Sequence, residues 1–173
     1  MKKHNLKNLI LDMDGVFTDG QFHYTVDGKV AKIFGADDGD ALHLVKPFLN
    51  VVIITGDKRG FAITKKRIVD DMKLPLHQVS TFERISWIKE NFKPEETIYM
   101  GDGIFDAMVF NEVGYSIAPA NAFFKIKEHA DYVTQASGGR GAVAEAVWHL
   151  MEKFFTPLDE LKLKIDGGEW GKK

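Results

Sequence analysis

The sequence predicts an α/β protein: a Rossmann-like parallel sheet sandwiched by helices, with one projecting β-hairpin. Three observations lead there. Short apolar runs alternate with helical patterns along the chain. Polar clusters directly follow three of those runs. One segment, 21–34, breaks the rhythm with two alternating runs around Asp27-Gly28, a hairpin signal.

The runs "LKNLIL" (6–11), "VVII" (51–54), "TIYM" (97–100), "YSIA" (115–118) and "DYVT" (131–134) are short and centred on apolar residues. They are predicted as strands buried on both faces. Helices are expected at about 39–48, 60–72, 82–92, 106–112 and 142–155. The last is the clearest, with Val143, Val147, Leu150, Met151 and Phe154 on one face. Ser80 and Glu83 in "STFE" form a capping-box pattern that should open the third helix. Right-handed crossovers then give a parallel sheet. The expected organisation is one domain, 1–155, with the hairpin projecting from it and a loosely held tail, 156–173, beginning at Thr156-Pro157.

Composition narrows the chemistry. The chain has 173 residues, 45% hydrophobic and 28% charged, with a formal net charge of -2. No global positive field exists to attract nucleic acid. Cysteine is absent, which excludes disulfides, thiolate metal sites and a cysteine nucleophile. The six histidines show no metal-ligand spacing. No apolar stretch is long enough to span a membrane, so the expected location is the cytoplasm.

In a parallel sheet all strand C-termini lie along one edge, where ligands bind. "DMD" after "LIL", "TG" after "VVII" and "GDGIFD" after "TIYM" should therefore converge, bringing together Asp12, Asp14, Thr55, Asp102 and Asp106. Asp12 and Asp14, two apart at a strand end, share one side of the strand. Carboxylates so crowded need a cation or a proton. Asp12 and Asp102 suit a hard, oxygen-preferring ion, with Mg2+ the first choice. One carboxylate could attack phosphorus while the other handles the proton of the leaving oxygen. Thr55 and the Gly56 N–H could hold phosphoryl oxygens. Asp106 has a competing role as the N-cap of the helix it opens. "SGGRG" (137–141) could cradle an anion at a helix N-terminus or be a plain turn.

"DMDGVFTDG", "IITG" and "GDGIFD" resemble motifs I, II and IV of the haloacid dehalogenase superfamily of aspartate-nucleophile phosphatases. More narrowly, "LDMDGVFTDG", the hairpin, "DDGDAL", "ADYVT" and "GGRGAV" resemble the small capless group that contains 3-deoxy-D-manno-octulosonate 8-phosphate phosphatase. The resemblance runs from about residue 6 to 154. It implies Asp12 as nucleophile and Asp14 as general acid/base. It implies Mg2+ held by Asp12, the Asp14 carbonyl and Asp102, with Asp106 in support. Thr55 would bind the phosphoryl group, and Arg140 gains weight as a substrate-binding residue. The superfamily's motif III lysine is missing; Arg84, in the first turn after the capping pattern, stands nearest its place, with Lys65 and Lys66 as weaker candidates. Asp37 and Asp57 occupy places where the octulosonate phosphatases tend to carry basic residues. Two acids there would favour a neutral or amine-bearing phosphorylated sugar over an acidic one.

The expected activity is Mg2+-dependent hydrolysis of a small phosphorylated metabolite, a sugar or sugar-acid phosphate, through an aspartyl phosphate. The alternatives are a receiver-like phospho-acceptor and a non-catalytic phosphate-binding module of the same fold. An isolated hairpin carrying Phe22, Tyr24, Val30, Ile33 and Phe34 is marginal in water. With no insertion large enough for a cap domain, a homotetramer joined through the hairpin is expected, an arrangement the resemblance also implies.

Overall fold

The computed structural model describes residues 5–159 and 163. Among the described residues, eight strands form two sheets. β1 (Asn8–Asp12), β4 (Asn50–Thr55), β5 (Leu76–Gln78), β6 (Thr97–Met100), β7 (Tyr115–Ala118) and β8 (Tyr132–Val133) make a parallel sheet in the order β5-β4-β1-β6-β7-β8. β2 (His23–Thr25) and β3 (Gly28–Ala31) form the separate antiparallel hairpin.

Alternation along the strands divides the interior in two. Leu9 and Leu11 of β1 face a core completed by α1 (Asp37–Val45) and α5 (Ala142–Phe154), which pack on each other. Ile10 faces the opposite core with Val52, Ile54, Ile88, Tyr99 and Val109, beneath α3 (Arg84–Asn91) and α4 (Asp106–Phe110). Burial on both faces explains why these strands read as unbroken apolar runs. Each fully buried Ile or Leu contributes about 1.5–3 kcal/mol relative to exposure.

β1 lies in the middle, with Asp12 level with Ile54 of β4 and Leu11 level with Met100 of β6. The ends of β1, β4 and β6 therefore reach the same edge. This register is what gathers the polar clusters.

Several expected boundaries shift. The helix expected over 60–72 is α2 (Phe61–Lys65) continued by a π-turn (Lys66–Asp71), and the chain then turns at Lys73, whose φ is 54°. The short edge strand β5 was not expected, because three residues including His77 and Gln78 show no alternation to read. Ser80 and Glu83 do not form a capping box. Ser80 uses its backbone carbonyl to accept from Glu83 N, and no side chain caps α3. The hairpin turn is centred on Val26-Asp27 rather than Asp27-Gly28. Both central residues keep negative φ, so the primed turn that Asp-Gly favours is not formed; Gly28, at φ 118°, takes the left-handed position after it. Leu158, within the expected tail, packs against the α1/α5 core, as does Phe155 just before it. The expected arm otherwise falls largely outside the described residues.

Candidate active site

Asp12 ends β1, and the chain turns sharply through Met13-Asp14-Gly15. Gly15 has φ +83°, and a Cβ there would lie 1.9 Å from Asp102 Oδ2. Glycine is needed for that close approach as well as for the turn. The loop is held by Thr18 Oγ1, which accepts from Gly15 N (3.2 Å) and Gly20 N (3.3 Å), and by Asn121 Nδ2, which donates to Gly15 O (2.9 Å). Asp19 closes a local turn by accepting from Gln21 N (3.0 Å), a loop role.

Asp12, Asp102 and Asp106 converge, with one oxygen of each within 4.8 Å of the others. Arg84, the first residue of α3, enters this cluster almost fully buried. Its Nη2 lies 2.8 Å from Asp12 Oδ2, and its Nη1 donates to Asp106 Oδ1 (2.5 Å) and Tyr99 Oη (2.9 Å). Tyr99 Oη in turn donates to Asp106 Oδ1 (2.8 Å), and Gly103 N donates to Asp106 Oδ2 (2.8 Å). Asp106 is thus committed at both oxygens to Arg84, Tyr99 and its own turn. It is the first residue of α4, and Phe105 takes the N-cap position. Asp12 Oδ1 accepts from Met13 N (2.8 Å).

Asp14 sits on the solvent side of this cluster. Its Oδ1 is 2.7 Å from Lys32 Nζ, and its Oδ2 accepts from Thr55 Oγ1 (3.4 Å). Thr55, wholly buried at the end of β4, also accepts from Asp57 N (3.1 Å). Gly56 follows it, close against Thr81. The expected convergence of the three strand ends is therefore present, residue by residue.

Electrostatics show what the cluster lacks. Burial, with Asp106 and Asp102 nearby, pushes Asp12 up to about 8 despite the lowering effect of Arg84. Burial and the neighbouring Asp106 push Asp102 up to about 7. Burial works against the Arg84 charge, but Tyr99, Asp12 and Asp106 outweigh it and hold the guanidinium protonated. Asp12, Asp14, Asp57, Asp102 and Asp106 face the cations Arg84, Lys29 and Lys32. With all five carboxylates ionised, two negative charges would remain uncancelled. A divalent ion with a preference for oxygen ligands, such as Mg2+, fits both the donors and the charge.

Other expected residues lie elsewhere. Lys65 and Lys66 are exposed on the α2 side, where Lys66 faces Asp70 and Asp71. Asp37 is exposed at the start of α1. Asp57 is not a bare pocket acid, because Lys29 Nζ (2.5 Å) and Lys32 Nζ (2.8 Å) both pair with its Oδ2. Burial opposes its charge, yet these two lysines hold its pKa at about 2. The repulsion expected against an acidic sugar loses its physical basis. The "SGGRG" loop does not offer an anion cradle either. Asp38 already fills the N-terminus of α5, accepting from Val143 N (2.9 Å), Ala144 N (3.1 Å) and Gly141 N (3.3 Å). Gly138 instead packs so tightly that a Cβ would lie 2.0 Å from Gly15 O. The glycines buttress the Gly15–Asp19 loop, and the Arg140 side chain is exposed.

Sequence reasoning missed Lys32, Tyr99, Asn121 and Asp38. Tyr99 alone carried a signal, a hydroxyl within a strand read as fully buried, which demands a polar partner.

Comparison with known proteins fits this geometry. Residues 63–147 match the haloacid dehalogenase-like hydrolase family. The 3-deoxy-D-manno-octulosonate 8-phosphate phosphatase of Salmonella typhi is 35% identical over 164 residues, covering 93% of this chain and 87% of that one. The chain belongs to this haloacid dehalogenase-like phosphatase family. The cobalt-bound deoxy-D-mannose-octulosonate 8-phosphate phosphatase of Haemophilus influenzae superposes with a TM-score of 0.75 at 27% identity, covering 89% of this chain and 92% of the other. The octulosonate phosphatase of Moraxella catarrhalis, in complex with magnesium, phosphate and KDO, gives 0.75 at 26% identity over 87% and 88% of the two chains. The haloacid dehalogenase-like fold, a six-stranded parallel sheet between helices, and the phosphatase activity are thus those expected from the motifs. Among the described residues no helix is long and apolar enough to cross a membrane.

Proposed function

We propose that this phosphatase hydrolyses a sugar-acid phosphate of the octulosonate class through a phosphorylated Asp12. The observation that carries this reading is the meeting of Asp12, Asp14, Thr55, Arg84 and Asp102 at one sheet edge, in a chain similar over most of its length to octulosonate phosphatases. An Asp12 carboxylate oxygen attacks phosphorus, and the bond to the leaving oxygen breaks. Asp14 gives that oxygen a proton, then takes one from the water that hydrolyses the acyl phosphate. Thr55 Oγ1 and the Gly56 N–H hold phosphoryl oxygens. Arg84, touching the attacking carboxylate itself, orients it and offsets the charge that gathers on the phosphoryl group. Asp12, the Asp14 carbonyl and Asp102, with Asp106 in support, would hold Mg2+, which would supply charge neutralisation at the phosphoryl group. Arg140 is assigned to the substrate's distal end. A substrate carboxylate is compatible with the site because Asp57 is already neutralised by two lysines.

The same reading makes the enzyme a cytoplasmic homotetramer, with one catalytic domain over 1–155 and a tail over 156–173. The exposed Tyr24, Val26, Val30 and Ile33 of the hairpin, and the exposed Phe82 and Phe105 pair beside the site, support burial by neighbouring subunits. A turnover assay tests the chemistry. Phosphate release from 3-deoxy-D-manno-octulosonate 8-phosphate should require Mg2+, disappear with EDTA, and exceed that from ribose 5-phosphate in kcat/KM. A clear preference for the neutral sugar phosphate would overturn the substrate class. A stable aspartyl phosphate with no turnover would instead make the chain a phospho-acceptor.

A further inference from the structure

Lys32 lies outside every motif, yet its ammonium is the cation nearest Asp14. The residue follows β3 at the base of the hairpin, and its side chain is 0% exposed. Nζ lies 2.7 Å from Asp14 Oδ1, 2.8 Å from Asp57 Oδ2 and 2.9 Å from Thr64 Oγ1 of α2. An ammonium has three protons, and three acceptors surround this one. The contact to Asp14 Oδ1 is an ion pair, and that oxygen accepts no aligned hydrogen bond. The cage is itself tightly built. Asp57 is fixed by Lys29 Nζ and by Gly60 N (3.0 Å to Oδ1). Gly60 has no Cβ where one would lie 2.2 Å from Asp57 Oδ2 and 2.8 Å from the Lys29 and Lys32 stems. Lys29 Nζ is also capped by the Phe22 ring, 3.2 Å from its centroid. The bridge between Thr18 and Phe34 ties the returning hairpin strand to the catalytic loop.

We infer that Lys32 is a positioning residue that holds the Asp14 carboxyl group in the orientation needed for proton transfer, so that the hairpin base is part of the catalytic apparatus. The inference rests on Asp14 acting as the general acid/base. Asp14 is held from two sides, Oδ1 by Lys32 and Oδ2 by the longer contact to Thr55, and its side chain is 18% exposed, open toward the substrate. With Lys32 gone, one long hydrogen bond would be left to fix it. A positioned acid matters most when the leaving oxygen is a poor leaving group, and a purely structural ion pair would be indifferent to the leaving group.

The experiment compares glycerol phosphate, whose alkoxide must be protonated, with p-nitrophenyl phosphate, whose phenolate leaves unaided. Lys32→Met should lower kcat/KM, which reports only the steps through transfer to Asp12, by ~10²-fold on glycerol phosphate, the lower end of the acid/base contribution, and by less than about threefold on p-nitrophenyl phosphate. Thr64→Val, which removes one anchor and leaves the charges, should show the same bias at about three- to tenfold. Asp14→Asn sets the reference and should show the bias most strongly. Equal losses on both substrates in Lys32→Met, beside a biased Asp14→Asn, would overturn the positioning role and leave a structural ion pair. An unbiased Asp14→Asn would remove Asp14 as the acid, and the inference with it. If far-UV circular dichroism shows that Lys32→Met does not fold, Thr64→Val decides: a bias upholds the inference, and its absence overturns it.

Discussion

Two buried aspartates, Asp12 and Asp38, teach what separates a chemical carboxylate from a structural one. Burial raises the pKa of both. Asp38 is answered by three backbone N–H groups at the start of α5, and every one of those donors is fixed by the fold. Asp12 receives one backbone N–H and one guanidinium while facing two further carboxylates. The first arrangement is closed. The second keeps unmet negative charge at an open sheet edge, which is what a cation and a phosphoryl group require.

Replacing each aspartate should break the comparison in opposite ways. Asp12→Asn should abolish steady-state turnover, by ~10⁴-fold or more on the scale of removing a covalent nucleophile. Phosphate release at saturating substrate checks it, and near-normal activity would remove the nucleophile assignment. Arg84→Ala should cost ~10²-fold in kcat, the scale of one charge-stabilising donor, and should also lower Tm because it strands two buried carboxylates. Unchanged kinetics there would place the motif III charge elsewhere.

Asp38→Ala should instead lose about 1–3 kcal/mol of stability as its backbone donors go unsatisfied. Its kcat at a temperature where the protein stays folded should fall only a few-fold. Urea denaturation and turnover of the same sample separate the two effects. A collapse of kcat without loss of stability would make Asp38 a participant in the chemistry and not an anchor of α5.

The same contrast explains what the sequence could reveal. β1, β4, β6 and β7 are legible because burial on both faces makes them mostly apolar, and their polar continuations then have to meet at one edge. Asp12, Asp14, Thr55 and Asp102 follow from that rule. Asp38 does not. Its meaning lies in donors more than a hundred residues away, and its neighbours Asp37 and Asp40 are equally acidic. Lys32 was hidden for a related reason. It sits in the hairpin's alternating run, where a lysine ordinarily marks the solvent face, and its three acceptors come from the β1 loop, the β4 loop and α2. Asp57 was misread because its charge was counted without the hairpin lysines that neutralise it. The capping pattern failed because Glu83 itself became the residue preceding α3, placing Arg84 rather than a cap at the helix start.

Asp57 supplies the smallest and most specific test, through pH. Its folded pKa of about 2 lies below the ordinary 3.8. A depressed carboxylate stabilises the fold at pH values above its unfolded pKa, and that contribution fades as pH falls toward the folded value. Asp57→Asn should therefore lower Tm by a few degrees at neutral pH. The gap between the variant and the parent should stay constant down to about pH 4, then narrow as pH approaches 2. Asp38 gives the opposite sign. Burial raises its pKa above 3.8, so its ionisation opposes folding as pH rises through that range, even while its hydrogen bonds favour the fold. Thermal melts of both variants across pH 2–7 distinguish the two. A gap for Asp57→Asn that is flat across the whole range would mean that Lys29 and Lys32 do not hold this carboxylate in solution, and the acid would again be available to repel a substrate carboxylate.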